Sequence, residues 1–175
     1  MKPIEGKKVL MIIAPDKFRD EELFKPKEII EANGGTVTIA SLKARPCTGM
    51  MGGTITPDIE IIDVPVDAYD AIIFVGGNGA EVYFKNDMVL NIARKAVEQG
   101  KLVGAICIAP CILANAGVLQ GKNATVFFGT GYIEILKSNG ANYTGEKVTI
   151  DSNIITANGP MAAKDFGVAI VEALS

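Results

Sequence analysis

Histidine is absent from all 175 residues. This removes every nucleophile scheme that needs an in-chain imidazole base, Ser-His-Asp and Cys-His alike, together with metal sites built on imidazole. Acid and base work is left to carboxylates, Lys, Tyr or a thiol. Cysteine is nearly as scarce. Cys47, Cys107 and Cys111 cannot all pair among themselves, and no C-x-x-C spacing occurs. Neither a disulfide framework nor a zinc site is expected, and no metal or cofactor is implied.

Long apolar runs are also missing. The N-terminal stretch offers only Val9–Ala14, too brief for a secretory h-region or a membrane span, so a cytoplasmic protein with no membrane partner is expected. Excess positive charge is missing too: 17 Lys and Arg face 20 Asp and Glu, for a net charge of -3. Such a surface is poorly suited to neutralising a phosphate backbone, which argues against nucleic acid as a partner. There is no internal repeat, linker or low-complexity tract. What is present, 49% hydrophobic and 21% charged residues, fits one globular domain over residues 1–175. A chain of this length buries roughly 70% of the surface it exposes when unfolded.

Short β-branched runs alternate with longer amphipathic stretches, the pattern of a parallel sheet covered by helices on both faces. Strands are predicted at 7–13, 36–42, 70–77, 101–107 and 124–128, with paired strands within 147–157. Helices are predicted at 20–34, 87–100, about 110–116, near 131–138 and 162–174. Residues 46–60 have the glycines and alternation of a hairpin excursion. Pro26 inside the first helix predicts a late start or a kink, because proline lacks the N–H that helical bonding needs.

Within "KLVGAICIAPCILANAG" (101–117) an apolar strand runs into an apolar helix, and Cys107 stands at the joint. In doubly wound sheets ligands bind outside the carboxyl ends of the strands. A cysteine there has its sulfur pushed out by the sharp turn, and the following helix aims free N–H groups at it, favouring thiolate. The competing reading is a small buried hydrophobe, which is how free cysteine is often used. Cys111, one turn into the helix, reads as core. Cys47 lies in the glycine-rich excursion, where exposure is possible but no activating partner is visible.

"AICIAPCILANAGVL" resembles the nucleophile-elbow segment of the ThiJ/PfpI superfamily, whose members share a flavodoxin-like fold with class I glutamine amidotransferases. "FRDEELFKP" (18–26), "VGGNGAE" (75–81) and "ITANGPMAAKDFGVAIVEAL" (155–174) fit in the same order, so the similarity covers nearly the whole chain. The resemblance implies an α/β, flavodoxin-like, doubly wound and mostly parallel sheet with helices on both faces. It implies that Cys107 is the nucleophile and that Glu22 is the glutamate beside the sulfur. It also implies that the Gly76–Gly77 turn, with the backbone N–H of Ile108, forms the oxyanion hole. Asp20 and Glu21 read as solvated helix-face carboxylates.

Two departures narrow the chemistry. In the peptidase branch the residue after the cysteine is a histidine, paired with a glutamate from a neighbouring subunit. Glu81 matches that glutamate, at an interface or a secondary site, but Ile108 carries no proton. Phe127 or Phe128 occupies the place of a further histidine in the deglycase branch and of a tyrosine in the peptidase branch. A second acid must come from elsewhere, with water and Tyr132 as candidates. Cleaving an amide requires protonating a poor leaving group, whereas adding a thiolate to an aldehyde does not.

The expected function is therefore a cysteine-dependent enzyme of deglycase or glyoxalase type, acting on a small-molecule substrate with a reactive carbonyl. Alternatives are an oxidation-sensing, stress-protective protein without turnover and, less suited to a chain lacking histidine, a cysteine peptidase or amidase. The resemblance further implies a homo-oligomer, a dimer or larger.

Overall fold

Residues 2–175 are described in a computed structural model. Alternation along the first strand decides the layering. In β1 (Lys8–Ile12), Leu10 and Ile12 enter one hydrophobic cluster while Val9 and Met11 enter another. A strand apolar on both faces needs helical cover on both sides.

The chain continues through β2 (Asp16–Phe18), α1 (Asp20–Ala32), β3 (Thr36–Ser41), β4 (Cys47–Gly49), β5 (Thr54–Ile55) and β6 (Ile59–Glu60). Then come β7 (Ala71–Phe74), α2 (Asp87–Glu98), β8 (Leu102–Ile106) and α3 (Pro110–Asn115). The last third contains β9 (Asn123–Ala124), α4 (Thr130–Ser138), β10 (Asn142–Tyr143), β11 (Val148–Asp151), β12 (Ile154–Ala157) and α5 (Ala163–Leu174). The main sheet has the order β11-β12-β8-β7-β1-β3-β6. Every pairing in it is parallel except that of β11 with β12. This is the doubly wound α/β architecture expected from the sequence.

Leu23 and Ile30 of α1 and Phe166 and Ile170 of α5 fill the cluster that contains Val9 and Met11. Val89 and Ala93 of α2 and Ile112 and Leu113 of α3 fill the other. The two helices of the first layer meet closely: a Cβ on Gly167 would lie 3.0 Å from both Pro26 Cα and Ile29 Cδ1.

That contact bears on Pro26. The helix does not start late, since α1 begins at Asp20 and continues through the proline. Pro26 is buried in the helix, and the space that glycine leaves on α5 lets its backbone pack against the neighbouring helix. Three acidic residues in the first turn, Asp20, Glu21 and Glu22, suit the positive end of the helix.

One further expectation is corrected and one is extended. Residues 124–128 do not form a strand of the main sheet; only Asn123–Ala124 pairs, with β10 in a separate two-stranded ribbon. Beyond it the backbone bonds elsewhere, Thr125 N–H donating to Thr156 Oγ1 at 3.0 Å and Phe127 N–H to the Cys107 carbonyl at 2.7 Å. The 46–60 excursion contains the antiparallel pair β4–β5, but its end, β6, joins the edge of the main sheet. β2, with three residues, is too short for periodicity to reveal. It pairs with β4 and anchors the excursion beside α1. Asp20 strengthens that anchor by accepting from the N–H groups of Met51 at 2.8 Å and Gly53 at 2.7 Å.

Candidate active site

Three neighbouring strands, β1, β7 and β8, end on the same edge of the sheet, and the segments that leave them converge there. The connection after β1 brings Arg19 and Glu22, β7 brings Gly76 and Gly77, and β8 brings Cys107. This is the carboxyl-end crevice where doubly wound sheets bind ligands.

Cys107 adopts φ 65°, one of three non-glycine residues with positive φ among the described residues. A residue other than glycine in this region costs on the order of 1–3 kcal/mol and persists only where its surroundings fix it. Here the fixing is by hydrogen bonds on both sides: Cys107 N–H donates to the Ala157 carbonyl at 2.9 Å, and its own carbonyl accepts from Phe127. The bend turns the side chain toward a small pocket of about 90 Å³, walled by Arg19, Gly77, Ile108, Phe127 and Tyr132 among others. Two wider grooves, of about 510 and 570 Å³, do not reach the sulfur.

The sulfur is more enclosed than the sequence suggests. Cys107 is 7% exposed, and burial, with the Glu22 charge as the second cause, pushes its thiol well above the usual range. The N–H groups of Gly77 and Ile108 face it and pull in the opposite direction. Burial therefore favours the neutral thiol over the standing thiolate expected from a helix N-terminus, since α3 spans only six residues and loss of water acts against the two backbone donors.

Glu22 is fully buried, and burial pushes its carboxyl up to about 8. Neither carboxyl oxygen has a hydrogen-bond partner among the described residues. The Cys107 thiol and the Gly76 N–H, which both favour the ionised form, lie near it without meeting hydrogen-bond geometry. Gly76 is required for this approach: a Cβ there would fall 2.5 Å from Glu22 Oε1 and 2.6 Å from Cys107 Cβ. Gly77, at φ 102°, passes so close to the backbone of Lys17, Phe18 and Arg19 that no side chain fits. The Gly76–Gly77 turn thus brings carboxyl and thiol together.

Glu81 does not line the Cys107 pocket. It accepts a hydrogen bond of 2.8 Å from the Tyr132 hydroxyl, and Tyr132 does line it. Burial, together with this donation, pushes the Tyr132 phenol up to about 12. In place of the imidazole that a histidine at 108 would supply, Ile108 offers an apolar side chain, 3% exposed. Phe127 presents an aromatic ring to the pocket, in T-shaped contact with Tyr132.

Of the other cysteines, Cys111 is core as expected, whereas Cys47 is 1% exposed rather than solvent-facing. Its sulfur turns inward to the Arg45 carbonyl at 3.4 Å. All three thiols are free. Asp20 and Glu21 are both engaged, the former with the excursion and the latter with Arg19.

Sequence reasoning missed Arg19, Met50, Asn78 and Pro160 as pocket residues. Arg19, Asn78 and Pro160 each stand inside a quoted segment, "FRDEELFKP", "VGGNGAE" and "ITANGPMAAKDFGVAIVEAL", whereas Met50 had no such signal. Among the described residues no three His, Cys, Asp or Glu come together as a metal site, and no helix is long and apolar enough to cross a membrane.

Comparison with known proteins identifies the family and the fold. A protein of Methanocaldococcus jannaschii, named only as uncharacterized, is 42% identical over 172 residues, which cover 98% of this chain and 84% of its own. A Pyrococcus abyssi protein named a deglycase is 32% identical, covering 86% and 90%. A glutathione-independent glyoxalase of Caenorhabditis elegans is 27% identical, covering 96% and 89%, and a putative cysteine protease of Bacillus subtilis is 32% identical, covering 87% and 90%. The crystal structure of a ThiJ/PfpI domain protein from Brachyspira murdochii superposes with a TM-score of 0.92 at 31% identity, over 97% of this chain and 98% of that one. With the DJ-1/PfpI family profile matching residues 7–173, the chain belongs to the DJ-1/PfpI family.

Proposed function

We propose that the protein is a cysteine-dependent enzyme that converts small reactive carbonyl compounds, with Cys107 as nucleophile and Glu22 as the group that moves protons. One observation carries this reading: a fully buried carboxyl without hydrogen-bond partners among the described residues, set against a thiol held at positive φ over a pocket of about 90 Å³. The pocket has room for a few heavy atoms rather than a folded peptide segment. Relatives named deglycase and glyoxalase support the same substrate class.

The chemistry runs through the monoanionic Cys107–Glu22 pair. As sulfur adds to the aldehyde carbon of an α-oxoaldehyde, Glu22 carboxylate takes the thiol proton, and the carbonyl π electrons move to oxygen. The N–H groups of Gly77 and Ile108 stabilise that charge. Glu22 returns the proton to give a neutral hemithioacetal. The carboxylate then takes the carbon-bound proton of the adduct while the hydroxyl proton passes to the neighbouring ketone oxygen, giving an enediolate, and returns its proton to that neighbouring carbon; the thioester so formed is cleaved by water, which frees the Cys107 thiol and releases a 2-hydroxy acid. No amine has to be expelled, so the missing histidine is not needed.

The test is methylglyoxal consumption with lactate formation by the purified protein. Loss of at least a hundredfold in Cys107→Ala is the expected result. Equal consumption by both proteins removes the assignment.

A second reading is favoured by selective access: of the three free cysteines only Cys107 lines the pocket. Peroxide would then oxidise it in preference to the others. Intact mass after mild peroxide should show gain of two oxygens on Cys107; uniform oxidation of all three argues against a sensing role. The protease-named relative keeps amide hydrolysis as a third reading, weakened by the absence of an acid for the leaving amine.

The same reading includes a homodimer or larger assembly. Phe127 and Pro160 wall the pocket, and their chain neighbours Phe128 and Met161 are 85% and 88% exposed. A cytoplasmic setting, where thiols stay reduced, suits three free cysteines.

A further inference from the structure

The pocket is not electrically neutral in its makeup. Arg19 lines it together with Cys107, and its guanidinium is near enough to feel the charges of both Glu22 and Cys107. Glu21 fixes that guanidinium on one side, accepting from Nε at 3.1 Å to each carboxylate oxygen and from Nη2 at 2.8 Å. This leaves the Nη1 amino group without a partner among the described residues. Arg19 is part-buried, with 26% of its side chain exposed, so it is neither a freely solvated surface cation nor a sealed structural one. Two further donors, the N–H groups of Gly77 and Ile108, face the sulfur. The remaining walls are largely apolar or aromatic, with Met50, Phe127 and Pro160 among them.

We infer that this pocket selects carbonyl compounds that carry a carboxylate beside the reactive carbon, and that Arg19 is the specificity-determining residue that holds the carboxylate. The inference rests on Cys107 being the group that meets the substrate, and it adds to the proposed function a class of anionic carbonyl ligand that occupies the same site by reversible addition. The pocket volume limits the ligand to the size of glyoxylate, in which a carboxylate replaces the acetyl group of methylglyoxal. Glyoxylate would add to Cys107 reversibly: the C–S bond forms, the thiol proton passes through Glu22 to the carbonyl oxygen, and nothing is oxidised or expelled. Arginine suits this role because its planar fork can bind Glu21 on one edge and a ligand carboxylate on another.

Arg19 could instead act only on the ionisation of the Cys107–Glu22 pair. The two roles separate by ligand charge, because an effect on the thiol changes reactivity toward neutral and anionic reagents alike. Iodoacetate and iodoacetamide form such a matched pair, each giving up iodide to the sulfur. Second-order rate constants for Cys107, followed by intact mass on the full chain at pH 8.5, give an iodoacetate-to-iodoacetamide ratio. In Arg19→Gln that ratio is expected to fall about tenfold, the loss of one charge-assisted contact, while Arg19→Lys keeps most of it. A ratio unchanged in Arg19→Gln, or two rates reduced by the same factor, overturns the inference.

Protection gives a second readout. Glyoxylate should slow iodoacetamide modification of the native chain, at a concentration about tenfold lower than Arg19→Gln requires. Equal protection of both proteins counts against the carboxylate site. Charge selectivity without methylglyoxal turnover would remove the catalytic reading and leave the anion site standing, and turnover without charge selectivity would do the reverse.

Discussion

At the scale of single residues, the site is a proton-sharing pair whose position on the pH axis is set by burial. Below about pH 8 Glu22 holds its proton and Cys107 is a neutral thiol, so neither a base nor an anion is available. Raising the pH through 8 creates the monoanion on which the chemistry depends. The kcat/KM for methylglyoxal is therefore expected to climb roughly tenfold per unit below pH 8 and to level off above it. In Glu22→Gln it should fall by at least a hundredfold and lose that inflection. A flat profile in the native chain would show that the carboxyl does not gate the reaction.

The same shift has a stability consequence of definite sign. Glu22 moves from an ordinary 4.5 to about 8 on folding. The folded state therefore holds a proton that the unfolded state releases. Its contribution is complete below pH 4.5 and is lost as pH rises through 8, on the order of 5 kcal/mol in all. Urea unfolding at pH 5 and pH 9 should show the native chain losing more stability than Glu22→Gln over that interval. Parallel losses would mean the carboxyl is hydrated in solution.

At the scale of elements, the legible parts were those with long-range regularity. β1, β7 and β8 were readable because continuous apolar runs bounded by glycine specify buried parallel strands, and α2 and α5 because their apolar residues recur at helical spacing. Cys107 and Glu22 were legible through the quoted segments, and the structure brings both beside the Gly76–Gly77 turn. Arg19, Asn78 and Pro160 lie in the same segments but were not singled out, because loop residues meet only after three strands are laid side by side. The thiol's enclosure was hidden for the same reason: Ile108, Phe127 and Tyr132 come from different segments. Pro26 does not delay the start of α1, and the residue against which it packs lies far away in sequence, at Gly167. That crossing makes its own prediction. Gly167→Leu forces a side chain into the α1–α5 contact and is expected to cost about 1–3 kcal/mol, lowering Tm by roughly 2–4 °C per kcal/mol. An unchanged Tm would mean that α1 and α5 are not packed as closely as the fold requires.

At the scale of the whole molecule, the site lies beside apolar surface that water covers at a cost. Phe128 and Met161 extend from the two segments that wall the pocket, and both are largely exposed. A net charge of -3 offers little repulsion to a second copy. A standard interface removes about 800 Å² from each partner, about a tenth of the 7745 Å² accessible here. Pairing through this rim would also shield the mouth of the pocket from bulk water, which strengthens every charge interaction inside it. Sedimentation equilibrium at micromolar concentration is expected to give twice the chain mass of 18.5 kDa. The double substitution Phe128→Asp with Met161→Asp should return it to a single chain, since two buried like charges per partner cost several kcal/mol. A native chain that sediments as a monomer up to hundreds of micromolar would exclude self-association, and a dimer unaffected by both substitutions would place the interface on another face.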